Sequence, residues 1–301
     1  MAESARRGFG RWRRRAPRSA PRGSRGSGPA RHLLRSGSRR SCESRARAGS
    51  SRRPCLGCGS GVCARARGSR SRDRTGRARV LPRSSEMKTI LILGVGGLGC
   101  PAALALKEAG VPLRLVLVDP DRVERSNLAR QILFSEADVG QPKAEVAARK
   151  LGAEARVLRF EPSTAADLLR GCDVLLDGTD DFATRFLAND EAVRRRIPLV
   201  HGAALGWTGQ LLTVLPGRSA CLRCFFEGPP APGALPTCAE AGVLAPLCGA
   251  VGAAMAEAAL AVLSGKAKAG VLRRWDARRG AERPLALRRD PLCAVCAGVA
   301  S

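Results

Sequence analysis

From Thr89 onward, apolar and polar positions alternate in blocks that read as strand, glycine turn, helix, strand: "TILIL" (89–93), "PAALALKEAG" (101–110) and "LRLVLVD" (113–119). Runs that are apolar at every position, with no period of two, suit strands of a parallel sheet covered on both faces, and Pro101 suits a first helical turn. A polar connection and a helix are expected over 120–150. A strand "ARVLRF" (155–160), a short helix near 165–170, a strand "DVLLDGTD" (173–180), a helix over 183–195 and a strand "PLVHGAA" (198–204) follow. This alternation predicts an α/β fold, Rossmann-like and doubly wound around a mostly parallel sheet.

Beyond Gly206 the pattern changes. "GQLLTVLP" (209–216) alternates as an antiparallel strand does, and "VLRRW" (271–275) with "PLALRR" (284–289) predicts a late hairpin. Between them "AGVLAPLCGAVGAAMA" (241–256) is the least polar stretch. Bounded by Glu240 and Glu257 and containing Pro246, it reads as a buried helix and not as a membrane span.

Charge divides the chain unevenly. Residues 1–86 hold 25 Arg, no Lys and four acids, a formal +21 of the total +26, whereas residues 87–301 are near balance at +5. An Arg/Ser/Gly/Pro-rich segment without apolar periodicity cannot bury enough surface to offset its ordering entropy, so disorder is expected there. Its composition resembles translated GC-rich upstream DNA, which places the start of the protein at Met87. A transit leader, a nucleic-acid arm or a metal knuckle at "CLGCGSGVC" (55–63) are the alternatives. No apolar signal core is present at the N-terminus, and the twelve cysteines then point to a reducing compartment, the cytoplasm.

Candidate chemistry begins at "ILGVGGLGC" (92–100). Gly94, Gly96 and Gly99 stand at G-x-G-x-x-G spacing between a strand and a helix, where backbone N–H groups and the helix dipole favour phosphate. Asp119 ends the next strand, placed for ribose hydroxyls. To this point NAD and ATP are equivalent. The following segment, "DPDRVERSNLARQILFSEADVGQPK", adds Asn127, Arg130, Gln131 and Lys143. Converging cations serve nucleotidyl transfer, where negative charge builds on phosphate, and add little to hydride transfer. Two C-x-x-C pairs, Cys221/Cys224 and Cys293/Cys296, are separated by 68 intervening residues. Four thiolates so paired suit a closed, structural Zn²⁺ site that ties the chain end to the middle of the domain. Cys100, Cys172 and Cys248 are expected in packing roles, and His201 in the core at a strand end.

"GVGGLGC", "SNLARQ", "VGQPK", "LLDGTDDFATR" and the cysteine pairs, in this order, resemble the MoeB/ThiF/HesA family, bacterial relatives of ubiquitin-activating enzymes, over 87–297. The resemblance implies adenylation, with ATP and Mg²⁺, of the C-terminal glycine carboxylate of a ubiquitin-like sulfur carrier ending in Gly-Gly. Thiamine or molybdopterin sulfur transfer would be the setting. By motif, Gly97 joins the loop against the nucleotide, Asp119 binds ribose, Asn127 and Arg130 contact phosphate with Gln131 nearby, Lys143 stabilises the α-phosphate and pyrophosphate, and Asp180 holds Mg²⁺. Cys238, after the Gly/Pro-rich "EGPPAPGALP", stands where ThiF-like proteins can link covalently to the activated carrier. A homodimer and a separate sulfur donor are implied, since no rhodanese-like segment follows Cys296.

Two departures stand out. Asp181 replaces the usual Asn, a second acid able to alter metal or nucleotide affinity. The R-Y-x-R-Q-like N-terminal motif, whose arginine serves the neighbouring protomer, is missing from a chain with no Tyr. An NAD(P)-dependent oxidoreductase and a non-catalytic carrier-binding module are the competing expectations; a nucleic-acid role would rest on the leader alone.

Overall fold

The computed structural model describes residues 87–226, 228–231 and 238–299, with backbone only for Cys238 and Ala239. The expectations for the arginine-rich leader and its Cys55–Cys63 knuckle lie outside the described residues, as does most of the "EGPPAPGALP" loop.

The elements run β1 (Lys88–Leu93), α1 (Gly99–Glu108), β2 (Leu113–Val118), α2 (Lys143–Leu151), β3 (Glu154–Arg156), α3 (Pro162–Leu168), β4 (Val174–Asp177), α4 (Phe182–Arg194), β5 (Leu199–Leu205) and β6 (Thr208–Val214). There follow α5 (Leu222–Phe225), α6 (Cys238–Ala241), α7 (Ala245–Leu263), β7 (Val271–Asp276) and β8 (Ala281–Ala286). All strands among the described residues join one eight-stranded sheet in the order β3-β2-β1-β4-β5-β6-β7-β8. The first five are parallel, and β6 to β8 continue as an antiparallel meander. The expected architecture, a doubly wound parallel sheet with an antiparallel end, is therefore present.

The unbroken apolar strands have a plain cause. In β1, Ile90 and Ile92 face a core shared with α1, α2 and α7, while Leu91 and Leu93 face a second core shared with α3, α4 and the cysteine-bearing segments. Each is at most 1 % exposed. At roughly 1.5–3 kcal/mol for a fully buried large aliphatic side chain, neither face can be given to polar residues.

Three boundaries differ from the sequence expectation. The strand expected over 155–160 is only Glu154–Arg156: it pairs with Val116–Val118 at the sheet edge, and the chain then turns away so that Leu158, Arg159 and Phe160 border the cleft described below. The last strand lies three residues early because the turn after Asp276 is short, pairing Asp276 with Ala281, and Pro284 is tolerated on the outermost strand. The apolar helix begins at Ala245, with Pro246 in its first turn, and runs past Glu257 to Leu263. This helix, α7, has the length and apolarity of a membrane span, yet it packs into the core. A Cβ on Gly252 would stand 2.5 Å from Pro101 Cγ and 2.6 Å from the Leu98 carbonyl oxygen.

The order reverses at β1, whose neighbours are β2 on one side and β4 on the other. Helices crossing to opposite faces leave a crevice at the carboxyl ends of these strands, where ligands of open α/β sheets bind.

Candidate functional site

The crevice is a solvent-open cleft with about 990 Å³ of empty space. Gly94, Gly96, Gly97 and Leu98 form one wall, Asp119 to Asp121 a second and Gly178 to Asp181 a third; Arg130, Gln131 and Lys143 reach in from the polar connection. The sequence-predicted residues thus converge, with two exceptions. Gly99 lies behind the wall. Asn127, buried, accepts from the Glu124 N–H at 3.3 Å and donates to Ser126 Oγ at 3.2 Å, which locks the turn before Arg130 without lining the cleft.

The glycine turn owes its shape to two positions. Gly94 has φ +80°, a left-handed conformation that L side chains rarely adopt, and Gly99 lies so close to it that an added Cβ would stand 1.9 Å from the Gly94 oxygen. The turn thereby carries the chain from β1 into α1 with the helix N-terminus at the cleft, where unsatisfied N–H groups favour anions.

Asp119 supports this turn from below: one carboxylate oxygen accepts from Val95 N–H at 2.7 Å and the other from Asp121 N–H at 2.9 Å. Burial pushes its pKa above the ordinary carboxylate value, and nearby Lys143 and the two backbone bonds oppose the rise. Lys143, the first residue of α2, is largely buried, and its Nζ is held 3.0 Å from Asp121 Oδ2. Arg130 Nη1 donates to the Ser126 carbonyl at 3.1 Å. Apolar anchors fix the irregular segment that carries these cations, with Val123, Leu133 and Phe134 buried in the core, while Lys150 pairs with Asp138. The buried Gln131 side-chain oxygen has no hydrogen-bond partner among the described residues. An orphaned polar group in a cleft is costly without a ligand or water, so the wall fits a polar occupant.

At the third wall the adjacent acids divide their tasks. Asp181 is the N-cap of α4, its carboxylate accepting from Thr184 N–H and Oγ1, each at 2.7 Å. Although partial burial works against ionisation, these bonds hold its pKa below the ordinary value. The second acid at this position is thereby engaged in a structural bond. Asp180 is exposed and borders the cleft, and as a hard oxygen donor it suits Mg²⁺.

Sequence reasoning missed how many groups converge behind this wall. Asp177, His201 and Arg185 are buried and bond to one another or to the Gly178–Asp181 loop. Asp177 and Arg185 lie within the quoted "LLDGTDDFATR", where a charge at the end of an apolar strand was the available signal.

The four cysteines of the two C-x-x-C pairs come together at the core shared with α3 and α4, all four sulfurs within 4.8 Å of one another. Neighbouring sulfurs are 3.3, 3.7 and 3.9 Å apart. Zn–S bonds of about 2.3 Å in a tetrahedron require sulfur separations of about 3.8 Å, so the set fits zinc. Burial and mutual repulsion push the Cys221 thiol up, and burial with bonds to neighbouring thiols takes Cys296 to about 11, so these sulfurs are poor anions without a cation among them. Asp290 N–H donates to Cys224 Sγ at 3.4 Å, and Arg289 ties Gly217 to the Cys296 and Val299 carbonyls. Cys100, Cys172 and Cys248 are separate from this cluster; burial raises Cys100 to about 12 and Cys172 to about 11, consistent with inert packing residues. Cys248 lies beside Gly97 at the cleft. The position of the Cys238 thiol lies outside the described residues.

Comparison with known proteins gives a consistent picture. The sequence model of the ThiF family matches residues 82–295. The chain is 44 % identical to the sulfur carrier protein adenylyltransferase of Thermus thermophilus, over 69 % of this chain and 82 % of that one. It is 42 % identical to the SAMP-activating enzyme E1 of Haloferax volcanii, over 69 % and 79 %. Identity is also 42 % to the adenylyltransferase and sulfurtransferase MOCS3 of Caenorhabditis briggsae, of which the chain spans only 54 %. Among solved structures, E. coli MccB with ATP superposes with a TM-score of 0.62 at 21 % identity, over 70 % of this chain and 67 % of that one, a likeness of fold.

Proposed function

This chain belongs to the ThiF family, and we propose that it is an ATP-dependent adenylyltransferase acting on the C-terminal glycine carboxylate of a ubiquitin-like sulfur carrier. The observation that carries the reading is the convergence of Arg130, Lys143, Asp119 and Asp180 on the cleft beside the N-terminus of α1. Asp119 would accept from the ribose hydroxyls. The glycine turn and helix N-terminus would face the phosphates, while the unpartnered Gln131 side-chain oxygen, an acceptor, would take a hydroxyl or amino donor of the nucleotide.

In the reaction a carboxylate oxygen of the carrier bonds to the α-phosphorus as the bond to the bridging oxygen breaks and pyrophosphate leaves. Negative charge grows on the leaving group, and Arg130 and Lys143 are the fixed cations beside it. Asp180 would hold Mg²⁺, whose chemistry is to neutralise phosphate charge. Zinc in the four-cysteine cluster would be structural, because four thiolates leave no open position. Cys238 would then take part in sulfur transfer from a separate donor, and a homodimer serving thiamine or molybdopterin sulfur transfer completes the proposal. Residues 87–301 form the adenylation unit in this reading, and the arginine-rich leader has no part in it.

The test is ATP–pyrophosphate exchange dependent on a Gly-Gly-ended carrier. Lys143→Ala is expected to lower the exchange rate by roughly 10²–10³-fold, the scale of losing one preorganised charge donor, while carrier binding by calorimetry persists. Folded, zinc-loaded wild type that binds a carrier without catalysing exchange would refute the enzymatic reading in favour of a binding module.

A further inference from the structure

Behind the third wall of the cleft lies a chain of buried polar groups to which the scheme above assigns no task. Asp177 ends β4 and His201 stands opposite it in register on β5, 0 % and 2 % exposed. His201 Nδ1 lies 2.7 Å from Asp177 Oδ2. The other carboxylate oxygen accepts from Thr179 N–H at 3.1 Å and Thr179 Oγ1 at 2.7 Å. Burial by itself would favour the neutral acid, but the imidazole, the nearby Arg185 and Thr179 outweigh it and keep Asp177 below the ordinary carboxylate range. An ionised carboxylate has no proton to give, so Nδ1 is the donor.

Thr179 is gripped from the other side as well. Arg185 Nε and Nη2 both donate to its carbonyl oxygen, at 2.9 and 2.7 Å. All three polar groups of Thr179 are thus engaged. On one flank Gly178 N–H donates to the Leu93 carbonyl at 3.0 Å and its backbone packs under Gly94; on the other, Asp181 caps α4. Asp180, exposed, sits between residues fixed on both sides and borders the cleft. Such a clamp constrains where the Asp180 carboxylate can stand, and catalytic groups displaced by 1 Å can lose about 10²-fold in rate.

We infer that His201 is a positioning residue for the metal–nucleotide site: through Asp177 and Thr179 it fixes the direction in which Asp180 presents its carboxylate. The inference rests on the reading of Asp180 as the metal-binding acid. Replacing the imidazole by an apolar group leaves the buried Asp177 Oδ2 without its donor, so that the carboxylate must rotate or take up a proton, and Thr179 then loses its hold. His201→Asn keeps an N–H donor at the place of Nδ1, whereas His201→Leu removes it.

The experiment measures Mn²⁺ affinity by electron paramagnetic resonance with a non-hydrolysable ATP analogue, analogue affinity in EDTA, and carrier-dependent exchange. Wild type, His201→Leu, His201→Asn, Thr179→Val and Asp180→Asn are compared. His201→Leu and Thr179→Val are expected to weaken Mn²⁺ binding about fivefold or more and to lower kcat about tenfold, with carrier KM and metal-free analogue affinity within about twofold of wild type. His201→Asn is expected to restore both. Folded His201→Leu with wild-type Mn²⁺ affinity overturns the inference, as does His201→Asn equally impaired, which would mark a role in packing alone. Should His201→Leu not fold, Thr179→Val decides by the same criteria. Equal Mn²⁺ affinity in wild type and Asp180→Asn overturns the reading of Asp180, and the inference with it.

Discussion

Gly96→Ala and Gly99→Ala, three residues apart in one loop, should fail in different ways. At Gly99 the new Cβ would stand 1.9 Å from the Gly94 carbonyl oxygen and 2.9 Å from its carbon. Relief to an ordinary carbon–oxygen separation of about 3.3 Å needs a shift of about 1.4 Å. Neither side can give it. Gly94 is held by its N–H bond to the Val118 carbonyl, and α1 is pinned from behind by α7 where Gly252 meets Pro101 and Leu98. An overpacked backbone contact of this kind costs about 3 kcal/mol or more, which in a domain of this size lowers Tm by roughly 6–12 °C. At Gly96 the nearest atom to a new Cβ is Gln131 Nε2 at 3.7 Å, an ordinary contact. Gly96→Ala should therefore melt within about 2 °C of wild type. It should nonetheless bind ATP about 5- to 150-fold more weakly, the equivalent of about 1–3 kcal/mol for a methyl group standing where phosphate approaches. Thermal melts followed by differential scanning calorimetry, with ATP affinity by isothermal titration, separate the two. Gly96→Ala binding ATP as wild type does would refute the placement of the phosphates, and Gly99→Ala melting with wild type would refute the steric account of the turn.

Zinc binding is expected at one ion per chain with release of protons, since the Cys221 and Cys296 thiols are raised. A strong chelator or Cys293→Ser should then raise hydrogen exchange over 288–299 while β1 to β4 stay protected; unchanged exchange in the tail would refute the role of zinc as its anchor. For acid stability, Asp138 is held at about 2 against an ordinary 3.8, chiefly by Lys150 and Ser135. The folded value lies below the unfolded one, so the contribution is whole above about pH 4 and fades as pH falls through 2. Lys150→Met should cost about 1 kcal/mol at neutral pH, a figure discounted for solvent near the pair, and less near pH 2. A loss that does not shrink with acid would show that packing, not charge, was removed.

Several of these features were legible in the chain before folding. Fully apolar strands separated by glycine turns and helices dictate a two-faced parallel sheet, because each strand must bury both sides. The G-x-G-x-x-G spacing, the strand-end Asp119 and the cysteine pairs each follow a local rule and were found where that rule places them. Strand and helix ends were less legible: β3 stops at Arg156 because pairing at the sheet edge ends there, and no local signal marks that point.

What the linear order could not supply was the assignment of tasks among like residues. Asp177, Asp180 and Asp181 are three acids within five positions, yet one is buried against His201, one is exposed at the cleft border and one caps a helix. The side-chain chemistry is the same, and the difference comes from parallel pairing that brings β5 beside β4 and from the angle at which α4 begins. Asn127 and Arg130 likewise share a motif, but only the arginine reaches the cleft, because the turn spends the asparagine's hydrogen bonds on itself. Sequence determined which groups were available and roughly where along the sheet they would stand. Tertiary structure decided which of them were consumed in holding the fold and which border the cleft: Asn127 and Asp181 are spent on their own turns, whereas Asp119, Arg130 and Lys143 keep further bonding positions beside the bonds that hold them.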